Sequence, residues 1–111
     1  MKVILYEPGK PPRIAEIENT LEAMQKTVGG YIQAVPLTPL LTLICDEEGK
    51  LKNKPVNRLL FFDGRHGTDV LVGTCFVCRT AGEDFAGVLE TDRDMANLFI
   101  RDWRCVENEM D

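Results

Sequence analysis

Residues 19–50 read NTLEAMQKTVGGYIQAVPLTPLLTLICDEEGK, and the fold turns on how this stretch is read. Asn19 and Glu22 have capping-box spacing: Asn accepts from an early helical N–H, and Glu reaches back to the cap. Leu21, Met24 and Val28 fall on one helical face. Gly29 and Gly30 stop the helix, because glycine enters the left-handed conformation of a C-terminal cap without a steric penalty. Tyr31 to Val35 and Leu40 to Cys45 then read as strands, rich in β-branched and aromatic residues and separated by Pro36 and Pro39. The expected helix covers 20–28, with Leu21, Met24 and Val28 buried together with Ile4, Ile32 and Leu43.

Upstream, Lys2 to Tyr6 is a compact apolar run that reads as a strand. Three prolines and Gly9 make the next residues a turn, and Arg13 to Ile17 returns as a second strand. Downstream, Asp46 to Lys50 is a polar turn, and Leu51 to Asn57 is irregular around Pro55. Leu59 to Phe62 reads as a short strand and Asp63 to Thr68 as a loop signalled by Asp-Gly. Val70 to Arg79 reads as one long central strand, followed by a break at Thr80 to Asp84. Thr91 to Asp94 opens a second helix with Met95, Leu98, Phe99 and Trp103 inward. This order implies an α+β fold: a small mixed β-sheet packed against one principal helix, a C-terminal helix, and a β-grasp-like arrangement. Residues 107–111 are expected to fray.

A chain of 111 residues suits one domain spanning 1–111. No stretch approaches the roughly 18 consecutive apolar residues of a membrane span, and the N-terminal apolar run is too short for a signal peptide. A cytoplasmic protein with reduced thiols is the expectation. Charge is uneven along the chain. Residues 1–55 balance seven basic against seven acidic side chains, whereas 56–111 carry six against eleven and so hold the whole net charge of −5. An acidic C-terminal half argues against direct nucleic-acid binding, which requires a basic patch. Glu83, Asp84, Glu90, Asp92 and Asp94 are the candidate binding acids there. The plain alternative is a solvated face that aids solubility.

Cys75 and Cys78 form the one conventional motif, C-F-V-C. Zinc needs four ligands at tetrahedral spacing, and Cys45, Cys105 and His66 are all single. A redox pair wants a helix N-terminus, but this pair lies in a strand, where residues three apart face opposite sides. Buried structural thiols are expected, with no metal and no cofactor. His66, with Asp63 or Asp69 beside it, lacks a nucleophile to complete a triad. Glu47 with Glu48, and Asp92 with Asp94, have structural reasons as a turn and a helix start. Gly29-Gly30 follows a helix, whereas a phosphate cradle precedes one. Asn57 and Arg58 are the least explained polar pair: the arginine either ties down a loop carbonyl or reaches a partner.

The run of E-P-G-K, T-L-E-A-M-Q-x-x-V-G-G-Y-I-Q, D-E-E-G-K-L, P-x-N-R-x-L and D-V-L-V-G-T-C-F-V resembles a family of small proteins of unknown function found in phages, plasmids and conjugative elements of bacteria. The similarity covers Lys2 to Val77 and leaves 83–106 as an acidic strand and helix extension. The closing D-F-A-G-V-L-E-T-D is similar to a tail seen beside anti-restriction domains, with Gly87 and Val88 departing from its usual serine and leucine. The resemblance implies a mobile-element accessory protein and carries over no catalytic residue. Two readings follow. One is a non-enzymatic protein-binding factor, inhibiting a host defence system or nucleic-acid-binding protein through an acidic surface. The other is a small enzyme or ligand-binding domain with its site near Asn57, Arg58, Asp63 and His66.

Overall fold

A computed structural model describes residues 1–61 and 68–102. The elements run β1 (Lys2–Tyr6), β2 (Arg13–Glu16), α1 (Leu21–Val28), β3 (Ile32–Pro36), β4 (Leu41–Asp46), β5 (Val56–Phe61), β6 (Thr68–Val72), β7 (Cys75–Ala81), β8 (Asp84–Ala86), α2 (Asp92–Phe99) and β9 (Ile100–Arg101). The α+β class holds. The strands form two antiparallel sheets where one mixed sheet was expected: β2-β1-β7-β4-β3 with β8 added to β7, and β6-β5-β9. Because β1 runs antiparallel to both its neighbours, the β-grasp-like order is not adopted.

The strand pairing explains the core. Ile4, Val77 and Leu43 lie side by side across β1, β7 and β4, and the next row is Leu5, Phe76 and Ile44. Successive strand residues face opposite sides, so each row belongs to a different layer. Val3, Leu5, Ile44, Phe76 and Cys78 pack with Met24 and Val28 of α1. Ile4, Tyr6, Leu41, Leu43, Cys75 and Val77 pack instead with Leu60 and Leu71 of the second sheet and with Ala96 and Ile100. The large sheet is therefore covered on both faces. This is why β4 and β7 read as near-continuous apolar runs rather than alternating ones.

Several expectations are corrected. Met24 and Val28 are buried, but Leu21 is 56% exposed, and Ile4 and Leu43 lie on the opposite side of the sheet from α1. Thr20, not Asn19, caps α1: its hydroxyl accepts from the Ala23 amide at 3.1 Å, while Asn19 Nδ2 donates to the Phe85 carbonyl. Gly29 ends the helix as expected, in the left-handed region at φ 79° with its amide on the Gln25 carbonyl at 2.8 Å. The stretch 70–79 is two strands in two sheets, broken at Gly73, whose φ of 70° any other residue would adopt under strain. The expected break at 80–84 is a hairpin, with β7 running to Ala81 and β8 returning from Asp84. β5 starts at Val56, inside the segment expected to be irregular. On α2 the inward residues are Asp92, Ala96 and partly buried Phe99, while Met95 and Leu98 are 46% and 57% exposed. Phe62, Trp103 and 107–111 lie outside the described residues.

Candidate functional site

Asn57 and Arg58 meet at a bulge in β5. Val56 pairs with Val72 and Arg58 with Leu71, so Asn57 is the extra residue on its strand. A bulge sets two consecutive residues against one and re-aims their side chains. Both are buried, at 2% and 4% exposure. Asn57 Nδ2 donates to the Tyr6 carbonyl at 2.8 Å and the Gly73 carbonyl at 2.7 Å, tying the large sheet to the corner between β6 and β7. Arg58 Nη1 donates to the Asn57 carbonyl at 3.0 Å and to Asn57 Oδ1 at 2.9 Å, and its Nη2 donates to the Lys10 carbonyl. Its guanidinium lies 5.9 Å from the Tyr6 ring centroid. Asn57 is thus structural, and Arg58 ties down a loop carbonyl while lining a cleft.

That cleft, about 490 Å³, lies between the Gly9–Pro12 turn and the corner of α2 with β9. Asn97 lines it and accepts the Tyr6 hydroxyl at 2.9 Å. Burial holds that hydroxyl well above its ordinary pKa, helped by Cys75, while Arg58 and Arg93 pull the other way. Arg93 Nη2 donates to the Pro12 carbonyl at 3.2 Å, fixing the turn against α2. Asp63 and His66, the other members of the second reading, lie outside the described residues.

The candidate acids do not act as one set. Asp92 turns inward: Arg79 grips it through Nε at 2.7 Å and Nη2 at 3.0 Å, and the Leu89 amide adds a bond at 2.7 Å. The Arg79 hydrogen bonds hold its carboxyl below the usual range against the opposing effect of burial. Asp92 therefore fastens α2 to β7, its carboxylate oxygens committed to Arg79 and the Leu89 amide. Glu90 is exposed and loosely paired with Arg93 at 3.4 Å, and Asp94 is exposed on α2. Glu83 and Asp84 are exposed at the hairpin between β7 and β8.

Nothing in the sequence singled out the opposite flank of α2. Thr38, Pro39, Leu40 and Leu41 face Thr91, Asp92 and Met95 across a groove of about 400 Å³. Leu40 is 56% exposed, and Leu98, one turn beyond Met95 and near it on the helix surface, is also exposed. Asp94, one turn before Leu98, is exposed on the same helix. The available signal was that Met95 and Leu98 stay apolar beside a helix face already filled by Ala96 and Phe99.

Cys75 and Cys78 are buried on β7, as expected, and Cys105 lies outside the described residues. Cys75 packs toward the second sheet and Cys78 toward α1, on opposite faces of β7, and burial pushes each thiol up to about 12. Among the described residues no three His, Cys, Asp or Glu side chains are grouped to hold a metal ion, and no helix is long and apolar enough to cross a membrane. One further cluster escaped the sequence reading. Asp46 takes Lys54 at 2.5 Å and Lys52 at 2.9 Å, and Lys54 also donates to the Val28 carbonyl at 2.7 Å, so both lysines close the C-terminal end of α1. Burial alone would raise the Asp46 carboxyl. The hydrogen bonds from Lys54, Lys52 and the Glu48 amide outweigh it and bring the group to about 2.

No curated protein and no solved structure matches the chain. A family model does match, over residues 1–101, nearly the whole chain and well past the Lys2 to Val77 span on which the resemblance rested. The second sheet, the groove beside α2 and the cleft except for Asp102 fall within that match, so the chain belongs to the family described as a domain of unknown function, DUF3846.

Proposed function

We propose that this chain is a non-enzymatic protein-binding factor, of the kind carried by phages, plasmids and conjugative elements, that docks a partner in the groove between Thr38–Leu41 and α2. The observation that carries this reading is the groove's composition: exposed Leu40 and Met95 line it, exposed Leu98 lies one turn beyond Met95 on α2, and the acids Glu90 and Asp94 are exposed just before and within that helix. Apolar residues gathered at a concave surface with charged neighbours are the ordinary make-up of an interaction site. On a chain of net charge −5, the fitting partner is a segment that presents apolar side chains flanked by Lys or Arg. A basic surface of a host defence or nucleic-acid-binding protein has that chemistry, and inhibition of such a protein is the role we assign.

The groove is tested with the full chain as bait in host lysate, beside a variant carrying Leu40→Asp and Met95→Asp. Both positions are exposed, so the variant should fold. The reading expects one stoichiometric partner on the native chain, lost on the variant. A partner retained equally by both chains, or no stoichiometric partner at all, would contradict it.

A further inference from the structure

We propose that the cleft over Arg58 is a binding site for an oxyanion group, carboxylate or phosphoryl, of a small-molecule ligand. The first observation is a buried cation with no carboxylate paired to it among the described residues. Arg58 is 4% exposed, yet no carboxylate among the described residues lies within ion-pair distance of it. Its described partners are neutral oxygens: the Asn57 carbonyl and side chain on Nη1, and the Lys10 carbonyl on Nη2. A guanidinium has five N–H donors, so Nε–H and one Nη2–H remain without a partner among the described residues. Nε and Nη2 share the edge that Arg79 presents to the Asp92 carboxylate in this same protein. An arginine serving only to tie the Lys10 turn would need neither donor, and a buried charge is costly unless paired.

The second observation is the balance of charge around the cleft. On a chain of net charge −5, Lys10, Arg58 and Arg101 line this one space, against Asp102, which already has an interaction of its own. Among the described residues the Lys10 side chain makes a 3.8 Å ion pair with Glu7, and Arg101 sits over the Phe61 ring with Nε on the Leu98 carbonyl. Asn97 spends its oxygen on the Tyr6 hydroxyl, which leaves its amide nitrogen as a further donor. Pro11, Pro12 and Ile100 supply apolar wall. A volume of about 490 Å³ with few polar groups among apolar ones is of small-molecule size. The site lies across α2 from the proposed protein-binding groove, and each stands without the other.

The test is a two-dimensional amide NMR titration of the full chain, with inorganic phosphate in one arm and succinate in the other. Saturable shifts at Lys10, Arg58, Asn97 and Arg101 in either arm are expected, and the arm that saturates separates a phosphoryl from a carboxylate ligand. Arg58→Lys keeps the charge without the fork and should weaken binding about tenfold. Because Arg58 is also structural, a second variant, Lys10→Glu with Arg101→Glu, changes the rim alone and should abolish the shifts on a native-like spectrum. Shifts that never saturate in either arm would overturn the proposal, as would a folded rim variant that binds as the native chain does.

Discussion

Replacing Asn57 with Ala removes the donor given to two buried carbonyls, Tyr6 at 2.8 Å and Gly73 at 2.7 Å, and an acceptor of Arg58 Nη1 at 2.9 Å. Water does not replace these bonds readily at a residue 2% exposed. Each buried polar group left unsatisfied costs about 1–3 kcal/mol, so the substitution should cost about 2–5 kcal/mol, the lower end allowing for relaxation of the bulge. That is a large share of the roughly 5–15 kcal/mol that holds a domain of this size together. The assay is urea unfolding followed by circular dichroism. With a slope of about 1–3 kcal/mol/M, a 3 kcal/mol loss moves the midpoint down by about 1–3 M. The neighbouring Val56→Ala, half-exposed on the same strand, should stay within about 0.5 kcal/mol. If Asn57→Ala and Val56→Ala shift the midpoint equally little, Asn57 does not hold the two sheets together.

Other consequences are as direct. Met24→Ala should cost about 2–5 kcal/mol in the same assay because Met24 packs against the large sheet, while Leu21→Ala, one turn earlier and exposed, should cost within about 0.5 kcal/mol; equal costs would mean that α1 presents another face. The Asp46 carboxyl is near 2 in the fold against an ordinary 3.8, so its contribution is complete above the ordinary value and lost as pH falls from there toward 2. With Lys52 partly exposed and its charge screened, that contribution is about 1–2 kcal/mol, so Asp46→Asn should lower stability by about that amount at neutral pH and flatten the acid limb of the stability curve. Cys75 and Cys78, held near 12, should resist alkylation at neutral pH until the chain unfolds, and native mass spectrometry with and without chelator should show no zinc; rapid labelling of either thiol, or a mass difference of one zinc ion, would contradict their structural assignment.

What was legible in the sequence followed from local rules. Strand β1, the Gly29 stop and the strands after it need only a neighbour or two to specify them, so β3 and β4 fall one residue from where they were placed. The two faces of β7 were likewise visible in the spacing of Cys75 and Cys78. An apolar run, by contrast, does not say how many sheets it serves. Residues 70–79 looked like one strand because β6 and β7 both face the space between the sheets, and only Gly73 marked the corner. The site depended on contacts far apart in the chain. Arg79 lies 13 residues from Asp92 and Tyr6 lies 91 from Asn97, and no periodicity reports such pairs. Asp92 therefore looked like one more surface acid, whereas the pairing removes it from the surface. Asn57 and Arg58 stood out because two polar residues ahead of an apolar strand have no local reason to be there, and the bulge supplies the reason.

The central claim is that α2, with Met95, Leu98 and Asp94 exposed, recognises a basic, partly apolar partner. The most direct measurement is the affinity of the captured partner across a salt series, for the native chain and for a variant with Glu90 and Asp94 changed to their amides, Asp92 being left in place because it holds α2. Exposed charges are screened beyond about 8 Å at physiological ionic strength, so the native chain should bind more weakly as salt rises, and the variant should bind more weakly at low salt with a flatter response. Equal affinities with no response to salt would contradict the claim and leave these acids as a solvated face.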